Sequence, residues 1–394
     1  KLSADGNLSD VMDKAAARVK QALSRREHIA VFGDYDVDGI TATCLLTEYL
    51  RSRGGHVTSY IPARLEEGYG LNPLAIDTLK KQGVELIVTV DCGITANQEA
   101  QLCKELGIDL VITDHHECKS ELPQAAALVD PHRKDQPQPV TEMAGVGVAF
   151  KLAAAIEGDQ EKLLDQYCDF LCLGTVADVM PLTGENRTMV ARGLRALANP
   201  KRVGIAALMA ECAVQKGPVT AGTIGYTLAP RINAAGRMEH AELAVQLFLS
   251  DDPAQAQELA ETLCRLNRER QSTESEIYRE ASDMVRREHP DDSAIVLAGE
   301  NWHQGVIGIV ASRLCEEFCR PTFLICMNGE HGKASSRSYG GFNLFRSLQE
   351  LAPLLEGYGG HEFAAGFTIP RENIDVFRQE MCRRAQAHRE SGAG

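Results

Sequence analysis

The stretch "VFGDYDVDGITA", Val31–Ala42, places Asp34, Asp36 and Asp38 within five positions, between an apolar run and a helix-like segment. At about 4 Å and an effective dielectric near 20, each pair of carboxylates repels by roughly 4 kcal/mol before screening. The cluster therefore needs a cation or a bound proton, unless it is merely a solvated acidic turn. Three more stretches share its character: "VDCG" with Asp91, "TDHHE" with Asp114, His115 and His116, and "GTVADV" with Asp178. Carboxylates with imidazole suit manganese, magnesium or zinc, and an oxygen-rich set with one or two histidines leans toward manganese. A single strand-end Asp is usually a helix cap, and a single His-His pair usually lies on the surface. Four such pieces in one chain, three of them at strand ends, argue for a metal centre.

The elements that must position these residues alternate in type. "HIAVFG", "HVTSYIP", "ELIVTVD" and "DLVITD" are short β-rich runs, separated by helix-like segments such as "ITATCLLTEYLRS" and "QEAQLCKELG". That alternation predicts a parallel sheet covered by helices. Asp34, Asp91 and Asp114 each end or follow a run, and ligands of open α/β sheets bind beyond the carboxyl ends of the strands. Residues 160–249 read as mostly helical, with loops at "GTVADVMPL" and "LAPRINAAGRM". Residues 254–289 read as one long polar-rich helix, spanning on the order of 50 Å at 1.5 Å per residue. A second, smaller α/β domain follows, with "AIVLAG", "PTFLICM", "HGKASSRS" and "GYGGHEFAAGFTI", its glycines and hydroxyls expected in loops. The predicted domains are 1–250, 251–290 for the connecting helix, and 291–394.

Composition narrows the classes of function. With 394 residues, 44% of them hydrophobic, the chain can fill more than one core. No run of eighteen apolar residues predicts a membrane helix. The N-terminal "KLSADGNLSD" has no apolar signal core and no initiator Met, as expected of an excised or processed piece. Only "AHRESGAG" reads as a disordered tail. The twelve cysteines form no CxxC, so reduced thiols in a cytoplasmic compartment are expected. A net charge of −14 argues against nonspecific coating of nucleic acid, but not against grip on one strand end.

"DYDVDGITA", "VDCG", "TDHHE" and "ADV" resemble successive motifs of the DHH phosphoesterase family, and "SSRS" and "GYGGHEFAAGFTI" resemble its DHH-associated C-terminal domain. "PARLEEGYGL", "AGVGVAFKL" and "LAPRINAAGRM" are similar to the branch of single-strand-specific 5′→3′ exonucleases. The resemblance implies an α/β fold, a parallel-sheet DHH domain joined by a long helix to a smaller α/β DHH-associated domain. It also implies two divalent cations, manganese preferred and magnesium acceptable. By position, Asp36 would bind one ion and Asp38 the other, Asp91 would bridge them, and His115 and Asp178 would complete the shell of the second ion. Asp34 would support the first ion, and His116 would lie beside the scissile phosphate. Several relatives have a histidine four residues before the first metal Asp; this chain has Phe32 there.

The same resemblance nominates residues that would hold a strand. Arg64, Ser335, Ser336, Arg337 and His361 are candidate phosphate contacts, arginine for its planar bidentate fork. Tyr69 would either stack on a terminal base or pack against the sheet. Arg231, Asn233 and Arg237 would line the strand's path, with a capping role open for Asn233. "AGVGVAF" resembles a glycine-opened helix that could cradle phosphate, but it lacks the GK[ST] of a nucleotide loop and reads as a tight turn, so no ATP motor is expected. The implied activity is removal of 5′-mononucleotides from single-stranded DNA, or from RNA, with a helicase or single-strand-binding protein as partner. The rivals are a phosphodiesterase for short RNA or cyclic dinucleotides, a catalytically silent binding module, and a manganese pyrophosphatase. Members of the exonuclease branch carry an OB-fold after the C-terminal domain, and this sequence stops before one.

Overall fold

The computed structural model describes residues 10–135 and 142–392. The N-terminal stretch read for a leader lies almost wholly outside them. The chain divides into two compact units, residues 1–267 and 268–394.

The first unit is built on a parallel sheet of order β2-β1-β3-β4-β5. Its strands are β1 (His28–Phe32), β2 (His56–Tyr60), β3 (Leu86–Thr89), β4 (Asp109–Thr113) and β5 (Ala127–Val129). These runs are nearly all apolar because both faces are covered, which is the parallel-sheet pattern. Ile29, Val31, Val88 and Val111 join one core with α1 (Asp10–Ser24), α2 (Val37–Ser52) and α5 (Gly145–Glu157). Ala30, Phe32, Ile87 and Ile112 alternate to the other face, packing with α3 (Pro73–Lys81) and α4 (Asn97–Glu105). A helical layer follows: α6 (Gln160–Ala177), α7 (Gly184–Leu197), α8 (Val203–Glu211), α9 (Ala221–Thr223), a π-turn Ile224–Leu228, α10 (Ala229–Met238) and α11 (Glu242–Leu249). "APRINAAGRM", expected as a loop, is therefore the helix α10. Its Pro230 comes just after the π-turn, where the helix has departed from regular α pairing.

The long helix α12 runs Pro253–Glu288, 36 residues, close to the span read from its polar-rich pattern. The second unit carries a mixed sheet of order β6-β7-β8-β10-β9. Its elements are β6 (Ile295–Gly299), α13 (Ile307–Phe318), β7 (Thr322–Asn328), β8 (His331–Arg337), α14 (Leu344–Glu350), β9 (Gly357–Gly360), β10 (Ala364–Pro370) and α15 (Ile374–Glu390). "SSR" thus lies in a strand, not in a loop. β8 alternates buried Gly332, Ala334 and Ser336 with more exposed His331, Lys333, Ser335 and Arg337, as a half-buried strand must. The expected C-terminal tail is corrected too: α15 continues through Glu390. No helix among the described residues is long and apolar enough to cross a membrane.

Candidate metal centre

Three adjacent strands, β1, β3 and β4, deliver their following residues to one sheet edge. Gly33 leaves β1 where any side chain would collide with Thr43 Oγ1, 1.9 Å from the Cβ position. Asp36 then caps α2, its Oδ1 accepting from the Gly39 amide at 2.8 Å. Two residues on, Asp38 reaches α5 instead. Its Oδ2 accepts from Gly145 N–H and its Oδ1 from Val146 N–H, both at 2.8 Å. "AGVGVAF" is thus a helix N-terminus rather than a tight turn, and its free amides are taken by a carboxylate of the chain itself.

Asp91 follows β3 in the left-handed region, φ 59°, a conformation that short polar side chains tolerate. His115 Nε2 lies 3.0 Å from Asp91 Oδ1, 3.5 Å from Asp38 Oδ2 and 3.5 Å from Asp178 Oδ2. Asp178 comes from the C-terminal end of α6. Donor atoms of Asp38, His115 and Asp178 all fall within 4.8 Å of one another, as do those of Asp34, Asp36 and Asp91, and those of Asp91, His115 and His116. Asp91 thereby belongs to two of the three groups.

The electrostatics of this edge favour bound cations. Burial, then the charge of Asp36, pushes the Asp38 carboxyl up to about 7. Burial and Asp38 push Asp178 up to about 7. Asp91 and Asp34 are likewise raised, first by burial and then by Asp38 and Asp36 respectively. Burial and the neighbouring His116 hold His115 below its ordinary value. Asp91 Oδ1 and Asp178 Oδ2 are buried with no hydrogen-bond partner, a costly state for a carboxylate oxygen. Hard oxygen donors, one imidazole nitrogen and two orphaned carboxylate oxygens fit a pair of divalent cations.

Asp114 is different, although it ends β4 like the others. Its Oδ2 accepts from Ile94 N–H, and its Oδ1 from His115 N–H and the His116 ring at 2.6 Å. Burial alone would raise its carboxyl, but the His116 hydrogen bond and the amides hold it below the ordinary value. Burial would lower His116, yet the bond to Asp114 and the charges of Asp114, Asp34 and Asp36 carry it up to about 9. Asp114 therefore orients and charges His116 instead of offering a free ligand, a role visible only once its hydrogen bonds are seen.

The strand-binding candidates separate into several environments. Tyr69 neither packs under the sheet nor stands free: the residue is 47% exposed, and its hydroxyl donates to the Asp91 carbonyl at 3.1 Å. It also lies 3.3 Å from His116 Nδ1. The Arg64 guanidinium sits 5.0 Å above the Tyr35 ring, a residue the sequence reading passed over. Asn233 takes the capping role, its Oδ1 accepting from Val37 N–H at 3.2 Å. Arg231 donates to the Thr227 carbonyl, and Arg237 lies near enough to Tyr35 to affect its hydroxyl. Phe32 is fully buried and stacked on Tyr60 at 5.2 Å, so its ring replaces any histidine ligand with core packing.

In the second unit, Arg337 Nε donates to Ser312 Oγ and its NH1 to Ser335 Oγ. Arg337 pairs with Ala364 in register, at the end of the β9–β10 hairpin that carries exposed His361. Ser336 does not join them. It is fully buried on the opposite face, its hydroxyl donating to the Ala365 carbonyl at 2.8 Å. The period-2 alternation of β8 accounts for that correction.

Comparison with known proteins agrees with this architecture. Residues 28–175 match the DHH family, N-terminal domain, and residues 291–387 match the DHHA1 domain. The single-stranded-DNA-specific exonuclease RecJ of Dickeya dadantii is 37% identical over 96% of this chain and 69% of its own. The chain belongs to the RecJ family. RecJ of Bacillus subtilis is 44% identical over 94% of this chain, which spans 47% of that relative's length. Among solved structures, exonuclease RecJ bound to manganese matches with a TM-score of 0.85 at 36% identity, covering 96% of this chain and 95% of that one. Thermus thermophilus RecJ in complex with Mn2+ matches with a TM-score of 0.83 at 34% identity, over 97% of this chain and 56% of that one. The RecJ-family fold places the acidic edge described above at the carboxyl ends of the parallel sheet.

Proposed function

We propose that this chain is the nuclease core of a two-cation exonuclease that removes 5′-mononucleotides from single-stranded DNA. The observation that carries the reading is the convergence of Asp38, His115 and Asp178 beside the orphaned Oδ1 of Asp91. The RecJ relatives, named single-stranded-DNA-specific exonucleases and solved with manganese, support it. Asp34, Asp36 and Asp91 would hold one cation, and Asp38, His115 and Asp178 the other, with Asp91 shared between them. Bound there, such a pair supplies a hydroxide-like water near neutral pH and neutralises phosphoryl oxygens.

The protein's own groups supply the rest. Asp38 is fixed by two helix amides, so its carboxylate is held in place before any substrate arrives. His116 keeps its proton near neutral pH and would donate to a non-bridging phosphate oxygen, while Asp114 fixes the ring. Arg64, stacked on Tyr35, would offer its fork to a phosphate, and Tyr69 would set the position of His116 and the Asp91 backbone. Ser335, Arg337 and His361 are assigned to phosphate contacts as well, with Arg231 and Arg237 along the strand. Functionally the chain would comprise a catalytic part at 1–250, a connector at 251–290 and a DHH-associated part at 291–394. An enzyme limited to single strands needs duplexes opened for it, so a cytoplasmic helicase or single-strand-binding protein is the proposed partner.

The test is hydrolysis of 5′-labelled and 3′-labelled oligonucleotides with manganese or magnesium. The 5′ label should appear early as mononucleotide. Early release of the 3′ label would overturn the polarity, and cleavage of dinucleotides alone would move the assignment to a short-RNA phosphodiesterase.

A further inference from the structure

Two thiols in the helical layer of the first unit lie together without a role in the metal centre. Cys212 stands at the C-terminal cap of α8, and Cys264 lies on α12; their sulfurs are 3.9 Å apart. Cys264 is buried and Cys212 partly exposed. A cleft of about 560 Å³ runs along the same two helices, lined by Ala207, Ala210, Glu211 and Gln257 among others. Arg231 lies close enough to the Cys264 sulfur to favour its thiolate, while the charge of Glu211 opposes it. A disulfide needs the sulfurs about 2 Å closer, at 2.03–2.05 Å. Cys212 is well placed to move, because the helix ends there and Ala213 turns left-handed at φ 55°.

We propose that Cys212 and Cys264 form an oxidisable dithiol, a modification site for peroxide-class oxidants. The Cys264 thiolate attacks a peroxide oxygen, the O–O bond breaks, and hydroxide leaves, giving a sulfenic acid on Cys264. The Cys212 thiol then attacks that sulfur, releasing water and closing the disulfide. One peroxide is reduced and two thiols are oxidised. The hydrogen bond from Cys212, with help from Arg231, draws Cys264 down to about 7, so the nucleophile is available near neutral pH. Deeply buried Cys44, Cys92 and Cys172 are pushed the other way by desolvation.

The bond has a consequence for the proposed strand path, and this part rests on that reading. Arg231 lies two residues before Asn233, which holds the first amide of α2. Once Cys264 is tied in a disulfide, Arg231 loses an anionic partner and the α8 end is pinned to α12. With that partner gone Arg231 is no longer held in its position, and strand affinity should fall by about fivefold to tenfold, the scale of one ordinary hydrogen bond.

Peptide mapping after stepwise hydrogen peroxide at pH 7.5 tests the chemistry without any activity readout. A 2 Da loss with a linked Cys212–Cys264 peptide pair, ahead of exposed Cys319, is expected. Cys212→Ser should leave a sulfenic acid on Cys264 that a dimedone probe traps, and Cys264→Ser should give neither product. Oxidation of Cys319 while both thiols stay free would overturn the proposal. Anisotropy with a 5′-phosphorylated single-stranded 20-mer tests the consequence. Weaker binding, restored by dithiothreitol, is expected, and equal binding by both forms would refute the coupling to Arg231. Failure of the reduced protein to bind any strand would count against the nuclease reading and leave the mapping result standing.

Discussion

The two oxygens of Asp38 are held by successive backbone amides of Gly145 and Val146, each at 2.8 Å. This pairing closes the acidic edge, and glycine is what permits it. A Cβ on Gly145 would lie 2.6 Å from both Cβ and Oδ1 of Asp91, one of the proposed ligands. Gly145→Ala should therefore displace Asp91 or tilt the start of α5 away from Asp38. Manganese affinity measured by calorimetry should fall about tenfold or more, as when other ligand-supporting groups are removed. Gly147→Ala is the control, because its new methyl would press on α5's neighbour Met143, 2.5 Å from its Cγ, and on no proposed ligand. Equal manganese affinity in both variants would break the link between Gly145 and the metal centre.

Proton release should accompany metal loading. In the metal-free protein the Asp38 and Asp178 carboxyls titrate at about 7, against 3.8 for an ordinary aspartate. At pH 6 they are largely protonated, and cations must displace those protons. Apparent manganese affinity should thus rise from pH 6 to pH 8, with proton uptake by the buffer visible in calorimetry. The sign for stability is opposite. A carboxyl raised in the folded state keeps a proton that the unfolded chain has released, so metal-free stability declines from about pH 4 through about pH 7. Chelated protein should melt lower at pH 8 than at pH 5.5, and manganese should restore it. A pH-independent affinity would show that these carboxyls are already ionised without metal.

The strand-end aspartates were legible because parallel strands must deliver their final residues to one edge, whatever the intervening chain does. Local patterns set that much. What could not be read were partners fixed by long-range packing. Asp38 and Gly145 are 107 positions apart, and nothing near Asp38 announces that α5 will present its amides there. Asn233 to Val37 is the same case. Asp114 resembled the neighbouring acids in sequence, and only its occupied oxygens distinguish it as a support for His116. "LAPRINAAGRM" is expected as a loop, yet Pro230 follows a π-turn within a continuous helical run and Gly236 sits where α10 closely approaches Tyr35. For Ser335 and Ser336 the signal was present: strand alternation in "HGKASSR" puts adjacent residues on opposite faces.

Asp114 should govern the charge of His116. Replacing it by Asn removes the 2.6 Å charge-assisted bond and one negative charge, leaving burial to act on the ring. The His116 titration in metal-free protein, followed by NMR of the imidazole protons, should move from about 9 toward or below the ordinary 6.5. A histidine raised in the folded state contributes stability that is full below 6.5 and disappears as pH rises through about 9. Asp114→Asn should accordingly destabilise the protein more at pH 6 than at pH 9.5. An unchanged His116 titration would mean that Asp34 and Asp36 alone hold its proton.

Adjacent serines in β8 should behave as different kinds of residue. Ser336 is fully buried and its hydroxyl donates to the Ala365 carbonyl, so Ser336→Ala removes one buried hydrogen bond, a loss of about 0.5–1.5 kcal/mol. Urea unfolding should show that loss, while strand binding by the folded variant stays near that of the parent. Ser335 instead accepts from Arg337 NH1 on the more exposed face. Ser335→Ala should cost little stability but loosen the arginine, weakening binding of a phosphorylated oligonucleotide by about threefold to tenfold, the scale of one ordinary hydrogen bond. The opposite result, with strand binding lost in Ser336→Ala at unchanged stability, would mean that β8 presents its other face to the substrate.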